Sequence, residues 1–383
     1  MTTADLTTLP SWTRLSRPEV RQALAKTSVV VLHGGASDER EVSSRSGESV
    51  LEALTALIDD NRENPPLRNL TGVEIDTAGR WRVGHQSMAA EDALRELPSG
   101  ALFFLALHGG EGEDGTIQDF LGTHGRLYTG SGVLSSALCM DKGRTRAVLR
   151  KAGLATPPGR LVRRADWASQ RRRVLMELAA LGGVTGWFVK PNRGGSSLGV
   201  THVVRADELA ASITVIIDAG GEALVEAAVQ GYEATVAVIG LPESSLHSLP
   251  VVEVLPHSGR FYDYEEKYSD DGARSVCPPE QIPAKAQEQL SVAALTAFRA
   301  LGCEGFARID FMVPHRRMIP SADQYGILDV VVLEANTLPG FTERSLYPKA
   351  ASTAGLGFPE LCLELCALAV QKGPPLPPGT RAI

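Results

Sequence analysis

No apolar run in this sequence reaches the ~18 residues that a membrane-spanning helix needs. Residues 1–20 are polar and carry two prolines, where a secretory signal has a basic start and an apolar middle. These absences lead us to expect a cytoplasmic protein with no membrane partner. Cysteine is scarce and scattered: Cys139, Cys277, Cys303, Cys362 and Cys366 include no CxxC pair, which argues against a disulfide framework or a structural zinc site. Positive charge is not in excess. The net charge of −7 gives no support for a nucleic-acid partner, and the Arg-rich stretch 160–173 reads as a solvated helix face. No GxxxxGK[ST] loop occurs, so a Walker A site is excluded. Lysine is scarce too, with 8 against 30 arginines. Where any cation would serve, this chain uses Arg, so a surviving Lys marks a place that needs a compact point charge rather than a planar fork. Lys142, Lys190 and Lys267 all fall in the motifs below.

What is present is a globular composition, 43% hydrophobic and 22% charged over 383 residues, too long for one ordinary core and sufficient for two or three domains. Residues 1–26 read as an extension in which Pro10 and Pro18 forbid a continuous helix. A first domain, 27–130, opens with the apolar strand 28–32 running into Gly34-Gly35. A helix over 41–58 and strands near 73–75 and 102–107 follow. Strands alternating with helices predict an α/β fold with a parallel sheet and crossover connections. A second domain, 131–229, has helices over 142–152 and 166–181, strands at 187–190, 200–204 and 224–229, and a Gly/Ser-rich turn at 192–199. A third, 230–372, has strands near 235–239, 251–254, 305–313 and 327–333, a helix over 283–301 and a long polar loop at 257–277. The Pro-rich tail, 373–383, reads as disordered.

Arg308-Ile-Asp310 and Glu334-Ala-Asn336 each have i, i+2 spacing, which on a strand aims both residues to one face. Two neighbouring strands would present Asp310, Glu334 and Asn336 together, an oxygen set suited to magnesium on nucleotide phosphates, with Arg308 beside them to neutralise a developing anion. In Lys190-Pro-Asn-Arg-Gly-Gly-Ser-Ser-Leu-Gly199, a strand-ending lysine leads into a loop whose amides and hydroxyls can wrap phosphate oxygens. As a lone pattern this loop also fits a mobile linker. His108-Gly-Gly-Glu-Gly-Glu-Asp-Gly115 follows a strand at the carboxyl edge of the parallel sheet, where ligand crevices form.

These motifs, together with Gly34-Gly-Ala-Ser-Asp-Glu-Arg-Glu-Val-Ser43, Met140-Asp-Lys142, Phe261-Tyr-Asp-Tyr-Glu-Glu-Lys-Tyr268 and Leu333-Glu-Ala-Asn-Thr-Leu-Pro-Gly-Phe-Thr342, occur in one collinear order. The sequence resembles the D-alanine–D-alanine ligase family over about residues 27–370. The resemblance implies a three-domain ATP-grasp fold with a Rossmann-like N-terminal domain and an α+β nucleotide-binding part. It implies ATP and two Mg2+ ions (with Mn2+ able to substitute), D-alanine as substrate and a homodimer serving peptidoglycan precursor synthesis.

It also implies roles. Glu39 anchors the first substrate's ammonium, grouped with Ser196 and Tyr268, and His108 lies near that subsite. Lys142, Lys190 and Ser197 face the nucleotide phosphates, and Lys267, from the lid loop 257–277, reaches the transferred phosphoryl group. Glu226, Ala227, Ala228 and Val229 form the adenine hinge, and Glu233 takes the ribose. Asp310, Glu334 and Asn336 hold the metal, Arg308 and the Gly340 amide form the oxyanion hole, and Ser345 and Leu346 place the second D-alanine.

The chain departs from the family pattern in places. Its hinge lacks bulky or charged central residues, Asp119 stands where glycine is common, and 315–326 reads as a hairpin elaboration inserted between the metal strands. Ester-forming relatives tend to carry histidine at the position of Tyr268 and arginine at that of Leu346. This chain has neither, which favours a peptide product. An acceptor other than D-alanine, such as D-serine or a natural-product amine, and a non-catalytic nucleotide-binding relative stay open as alternatives.

Overall fold

The structure, a computed structural model, describes residues 9–181, 185–195, 198–256, 273–315 and 330–374. Three sheets organise it. The first is built on β1 (Ser28–Gly34), which pairs in parallel with β2 (Asn69–Ile75) and β5 (Leu102–Leu105); β6 (Leu127–Tyr128) continues it in parallel beyond β5. A hairpin of β3 (Trp81–Val83) and β4 (Gln86–Met88) extends the β2 edge, giving the order β4-β3-β2-β1-β5-β6. Val29 to Leu32 and Leu102 to Leu105 are buried on both faces, which is why they read as continuous apolar runs rather than alternating ones. The helix Arg40–Asp60 lies on β1 through Val50, Leu54 and Leu57. It approaches closely at Gly47, where a Cβ would stand 2.4 Å from the His33 side chain.

The second sheet is antiparallel, ordered β7-β10-β8-β9 from β7 (Gly159–Val162), β8 (Trp187–Pro191), β9 (Thr201–Val203) and β10 (Ala223–Ala227). The helices Arg164–Leu181 and Ala206–Asp218 cover it, and Arg171, Arg172 and Arg173 are exposed on the outer face of the first of these. The third sheet has the order β14-β13-β11-β15-β16, from β11 (Gly231–Leu241), β13 (Val252–Leu255), β14 (Arg274–Val276), β15 (Gly305–Pro314) and β16 (Val331–Asn336). Strand β12 (Ser245–Ser248) folds back on β11. The helix Ala284–Ala300 packs on β11 and β15.

Several elements differ from the sequence reading. The end of the polar segment 257–277 is a strand, β14, because β13 supplies ladder partners for Arg274, Ser275 and Val276; three polar-to-apolar residues carry no periodicity of their own. The helices Ala206–Asp218, Leu346–Thr353 and Phe358–Lys372 were not anticipated. The last is buried almost all round from Leu361 to Ala369, so it lacks the amphipathic stripe by which a surface helix is recognised. It packs against β5, β6 and the helix Arg40–Asp60, and one apolar core runs from the first sheet through Phe341, Tyr347 and Phe306 into the third. The segment read as an N-terminal extension folds onto this same helix. The amides of Arg14 and Leu15 donate to the two oxygens of Glu364 at 2.6 and 2.9 Å, and Leu15 and Leu24 are fully buried. Among the described residues no single helix is long and apolar enough to cross a membrane; one helix pair passes that test only jointly and is bent by 99°.

Candidate active site

Strands β15 and β16 pair with Arg308 opposite Asn336 and Asp310 opposite Glu334, so all four side chains share one sheet face. Arg308 grips Asp310 with two parallel bonds, Nε to Oδ1 and Nη2 to Oδ2, both 2.8 Å. Asp310 also accepts from Thr235 Oγ1 at 2.6 Å and from Asn336 Nδ2 at 3.0 Å. Such a bidentate pair holds both partners in register. Glu334 lies 3.8 Å from Lys142 Nζ.

Lys142 opens the helix Lys142–Lys151 behind the N-cap Asp141, whose side chain accepts from the Arg144 amide at 3.1 Å. Asn192 locks this helix start to the end of β8: its carbonyl oxygen accepts from the Lys142 amide at 3.0 Å, its Oδ1 from Gly143 at 2.8 Å, and its Nδ2 donates to Asp141 at 3.1 Å. The Lys142 ammonium donates to the Gly194 carbonyl. Burial pulls its pKa down, Glu334 pulls it back up and the neighbouring Lys190 lowers it further. Lys190 is ion-paired with Glu226, which is only 3% exposed. Lys142, Lys190, Glu226, Glu233, Asp310 and Glu334 all line one cavity between the second and third sheets.

The hinge residues divide by backbone use. The Ala227 amide donates to Pro158 O at 2.7 Å and the Ala228 amide to Gly186 O at 3.0 Å. Ala227 and Val229 line the cavity, and the Val229 amide has no partner among the described residues. Glu226 Oε1 is buried there against the Arg146 guanidinium, whose Nη1 lies 3.2 Å away.

At the other end of the site, Glu39 precedes the helix Arg40–Asp60 and is 7% exposed. Two glycines make room for its carboxylate. A Cβ on Gly109 would stand 2.6 Å, and one on Gly195 2.7 Å, from Glu39 Oε2. Gly195 immediately precedes Ser196, so the Gly/Ser loop reaches Glu39 from the second sheet. Glu113 is nearby. Burial, and then the charge of Glu39, push its carboxyl up to about 8. His108 is 5% exposed, with Nδ1 3.0 Å from Leu338 O and Nε2 2.9 Å from Ser46 Oγ. A carbonyl only accepts, so Nδ1 carries the proton and Nε2 accepts from Ser46, whose oxygen in turn accepts from the Phe341 amide at 3.2 Å. Burial holds the imidazole neutral, with its pKa lowered to about 4.

Thr342 donates its amide to Ser345 Oγ at 3.1 Å. With the Phe341 and Thr342 amides thus engaged, the Gly340 amide is left without a partner among the described residues. A Cβ on Gly340 would press on Ser345 Oγ at 3.2 Å. Leu346, the first residue of the helix Leu346–Thr353, lines the cavity as well.

Ser196, Ser197, Lys267 and Tyr268 lie outside the described residues, as do 316–326 of the expected insertion and 375–383 of the tail. Sequence reasoning missed Glu113, Ser46, Asn192 and Arg146. Two signals were available: Glu113 is the second acid of the His108–Gly115 motif, and Arg146 stands one helical turn beyond Lys142. Asn192 stood in the 190–199 loop without a role of its own, and nothing local marked Ser46; the roles of both come from long-range contacts.

Two antiparallel sheets closing on a cavity lined by lysines and carboxylates, beside a parallel-sheet domain, define an ATP-grasp architecture. The solved structures it resembles agree. The D-Ala:D-Ser ligase VanG from Enterococcus faecalis superposes with a TM-score of 0.70 at 30% identity, covering 90% of this chain and 99% of that one. The D-alanine-D-alanine ligase from Coxiella burnetii superposes with a TM-score of 0.71 at 26% identity, covering 91% and 95%. A family model described as D-ala D-ala ligase C-terminus matches residues 148–367. Among curated relatives, the D-alanine--D-alanine ligase of Desulforudis audaxviator is 39% identical over 349 residues, spanning 89% of this chain and 98% of the relative. That of Pelotomaculum thermopropionicum is 36% identical over 343 residues, spanning 90% and 96%. The chain belongs to the D-alanine–D-alanine ligase family.

Proposed function

We propose that this chain joins two D-alanines to D-alanyl-D-alanine at the expense of ATP, through an acyl phosphate. The observation that carries this reading is the β15–β16 register, which sets Arg308, Asp310, Glu334 and Asn336 on one face, with Lys142 and Lys190 on the wall of the same cavity. In the first step a carboxylate oxygen of one D-alanine attacks the γ-phosphorus and the bond to ADP breaks. The amine of the second D-alanine then attacks the acyl carbon, loses a proton, and the C–O bond to phosphate breaks. Phosphoryl transfer of this kind depends mainly on positioning and charge stabilisation.

Glu39 receives the first ammonium. Lys142 and Lys190 take the polyphosphate, with Ser197 from the adjoining loop. Arg308 and the Gly340 amide face the oxyanion, while Ser345 and Leu346 orient the second substrate. Lys267, Ser196 and Tyr268 keep the roles that the family implies. Glu233 takes the ribose. The hinge 226–229 takes the adenine, and the Val229 amide, without a partner among the described residues, suits a ring acceptor on that base. Two carboxylates and an amide oxygen, Asp310, Glu334 and Asn336, fit a hard cation that draws its remaining ligands from phosphate and water. Mg2+ held there would neutralise charge on the transferred phosphoryl group. The Arg308 guanidinium is paired with Asp310 in the same site. The reading carries with it the family's cytoplasmic homodimer supplying peptidoglycan precursors.

The test is to incubate the purified protein with Mg-ATP and D-alanine while recording phosphate release and product mass, with L-alanine, D-lactate and D-serine in parallel. A D-alanyl-D-alanine mass with stoichiometric phosphate, from D-alanine alone, is the expected result. Product only with another acceptor moves the assignment to a D-alanine–D-X ligase, and nucleotide binding without turnover to a non-catalytic relative.

A further inference from the structure

We propose that Arg146 is a positioning residue for the nucleotide phosphates, acting through Glu226 on Lys190. This goes beyond the residues assigned above and rests on the nucleotide reading of the cavity.

Arg146 sits one turn after Lys142 on the helix Lys142–Lys151, with its side chain 6% exposed. Its Nη1 lies 3.2 Å from Glu226 Oε1, while the other oxygen of Glu226 is ion-paired with Lys190. One buried carboxylate therefore stands between two cations, and the trio keeps net positive charge beside the cavity that Lys190 and Glu226 line. A buried one-to-one Lys190–Glu226 pair would be neutral, and Lys190 would have to leave that counter-ion to meet a phosphate. With Arg146 sharing the carboxylate, Lys190 is held in place while its charge stays available to a ligand.

A purely structural role explains Arg146 less well. Its Nη2 donates to Pro157 O at 2.6 Å, but Arg150 already donates to that carbonyl at 3.1 Å and to Thr156 Oγ1 at 2.7 Å. Arg146 Nε is buried without any acceptor among the described residues. Burial lowers the Arg146 pKa, with Glu226 opposing. A guanidinium so expensively desolvated and incompletely bonded is best accounted for by the charge it brings to Glu226.

The experiment measures binding of Mg-ATP, Mg-ADP and adenosine by calorimetry to the full-length wild type and to Arg146→Met, Arg146→Lys and the double variant Arg146→Met/Glu226→Gln. For a coupled charge pair we expect Arg146→Met to weaken ATP and ADP about tenfold and leave adenosine unchanged. Arg146→Lys, which keeps the charge, should stay within about threefold of wild type, and removing the carboxylate as well should recover most of the loss in the double variant. Equal weakening of adenosine and ATP, or no recovery in the double variant and no rescue by lysine, would overturn the proposal and leave a packing role. If Arg146→Met does not fold, the lysine and double variants still decide between these outcomes. Wild-type protein that binds no ATP overturns the nucleotide reading itself, and this inference with it.

Discussion

His108 Nδ1 stands 3.0 Å from the carbonyl oxygen of Leu338, 230 positions away. Together with the Ser46 relay to the Phe341 amide, this contact fastens both sides of Gly340 to the first domain's glycine-rich loop and helix. Both ring nitrogens are used, so His108 holds the loop that carries the Gly340 amide, the proposed oxyanion donor.

The sign of its pH effect follows. A histidine whose folded pKa is depressed contributes stability that is complete above the unfolded value of 6.5 and is lost as pH falls through the folded value of about 4. The contribution amounts to roughly 3 kcal/mol. Urea denaturation of His108→Gln at pH 6.5 and pH 4 should therefore show a smaller loss on acidification than the wild type. The same variant should lose kcat/KM for D-alanine about 100-fold at pH 7.5, since loop misplacement costs positioning.

Glu364 works in the opposite direction. Burial pushes its carboxyl up to about 7, against the pull of the Arg14 and Leu15 amides and of the Arg14 and Arg17 charges. A raised carboxyl contributes stability that is complete below the unfolded value of 4.5 and is lost as pH rises through about 7. Glu364→Gln, which removes the titration but leaves an acceptor for only one of the two amides, should start less stable than the wild type and gain on it between those limits by up to about 3 kcal/mol. Denaturation midpoints of the two proteins at pH 5 and pH 8 check this. A constant gap across that range would mean that Glu364 is not titrating.

Most of this site was legible in the chain because it is built from short local patterns. The i, i+2 pairs at Arg308/Asp310 and Glu334/Asn336 needed only a strand to share a face, and β15 and β16 provide it. Lys142 and Lys190 stood out because lysine is rare here. What sequence could not give is set by distance along the chain. Asn192 pins the start of a helix about fifty residues earlier, and Ser46 reaches a loop almost three hundred residues later. The buried helix Phe358–Lys372 showed no stripe because first-domain and third-sheet elements both cover it. The adenine hinge was read as four equivalent positions, yet its amides divide once β10 is pinned at Ala227 and Ala228.

Phe341 joins the site loop to the shared core. It is 2% exposed, and its ring lies 5.6–5.8 Å from those of Phe104, Phe306, Tyr347 and Phe358. Phe341→Ala should cost about 3–5 kcal/mol from lost burial and the cavity left behind. Because the same backbone carries Gly340, kcat should fall even in protein that remains folded. Thermal denaturation with turnover measured well below the midpoint separates the two effects, and full turnover in the folded fraction would show that the loop does not depend on this packing.

The approach of Gly195 to Glu39 gives the sharpest local test of how the central loop and the first domain cooperate. A methyl at 195 would stand 2.7 Å from Glu39 Oε2, closer than any carbon–oxygen contact tolerates, so either the loop or the carboxylate must move. The left-handed region does not constrain Gly195, unlike Gly109 with φ +66°. Gly195→Ala therefore tests the approach alone, without backbone strain. If Glu39 receives the first ammonium, its displacement should raise KM for D-alanine about tenfold, an interaction loss of the size of one charge-assisted hydrogen bond. KM for ATP should change much less, because Lys142 and Lys190 are held by the Gly194 carbonyl and by Glu226 rather than by Gly195. Steady-state kinetics with each substrate varied in turn read this directly. A rise in KM for ATP with an unchanged KM for D-alanine would assign the close approach to the nucleotide side and remove Glu39 from the first-substrate site.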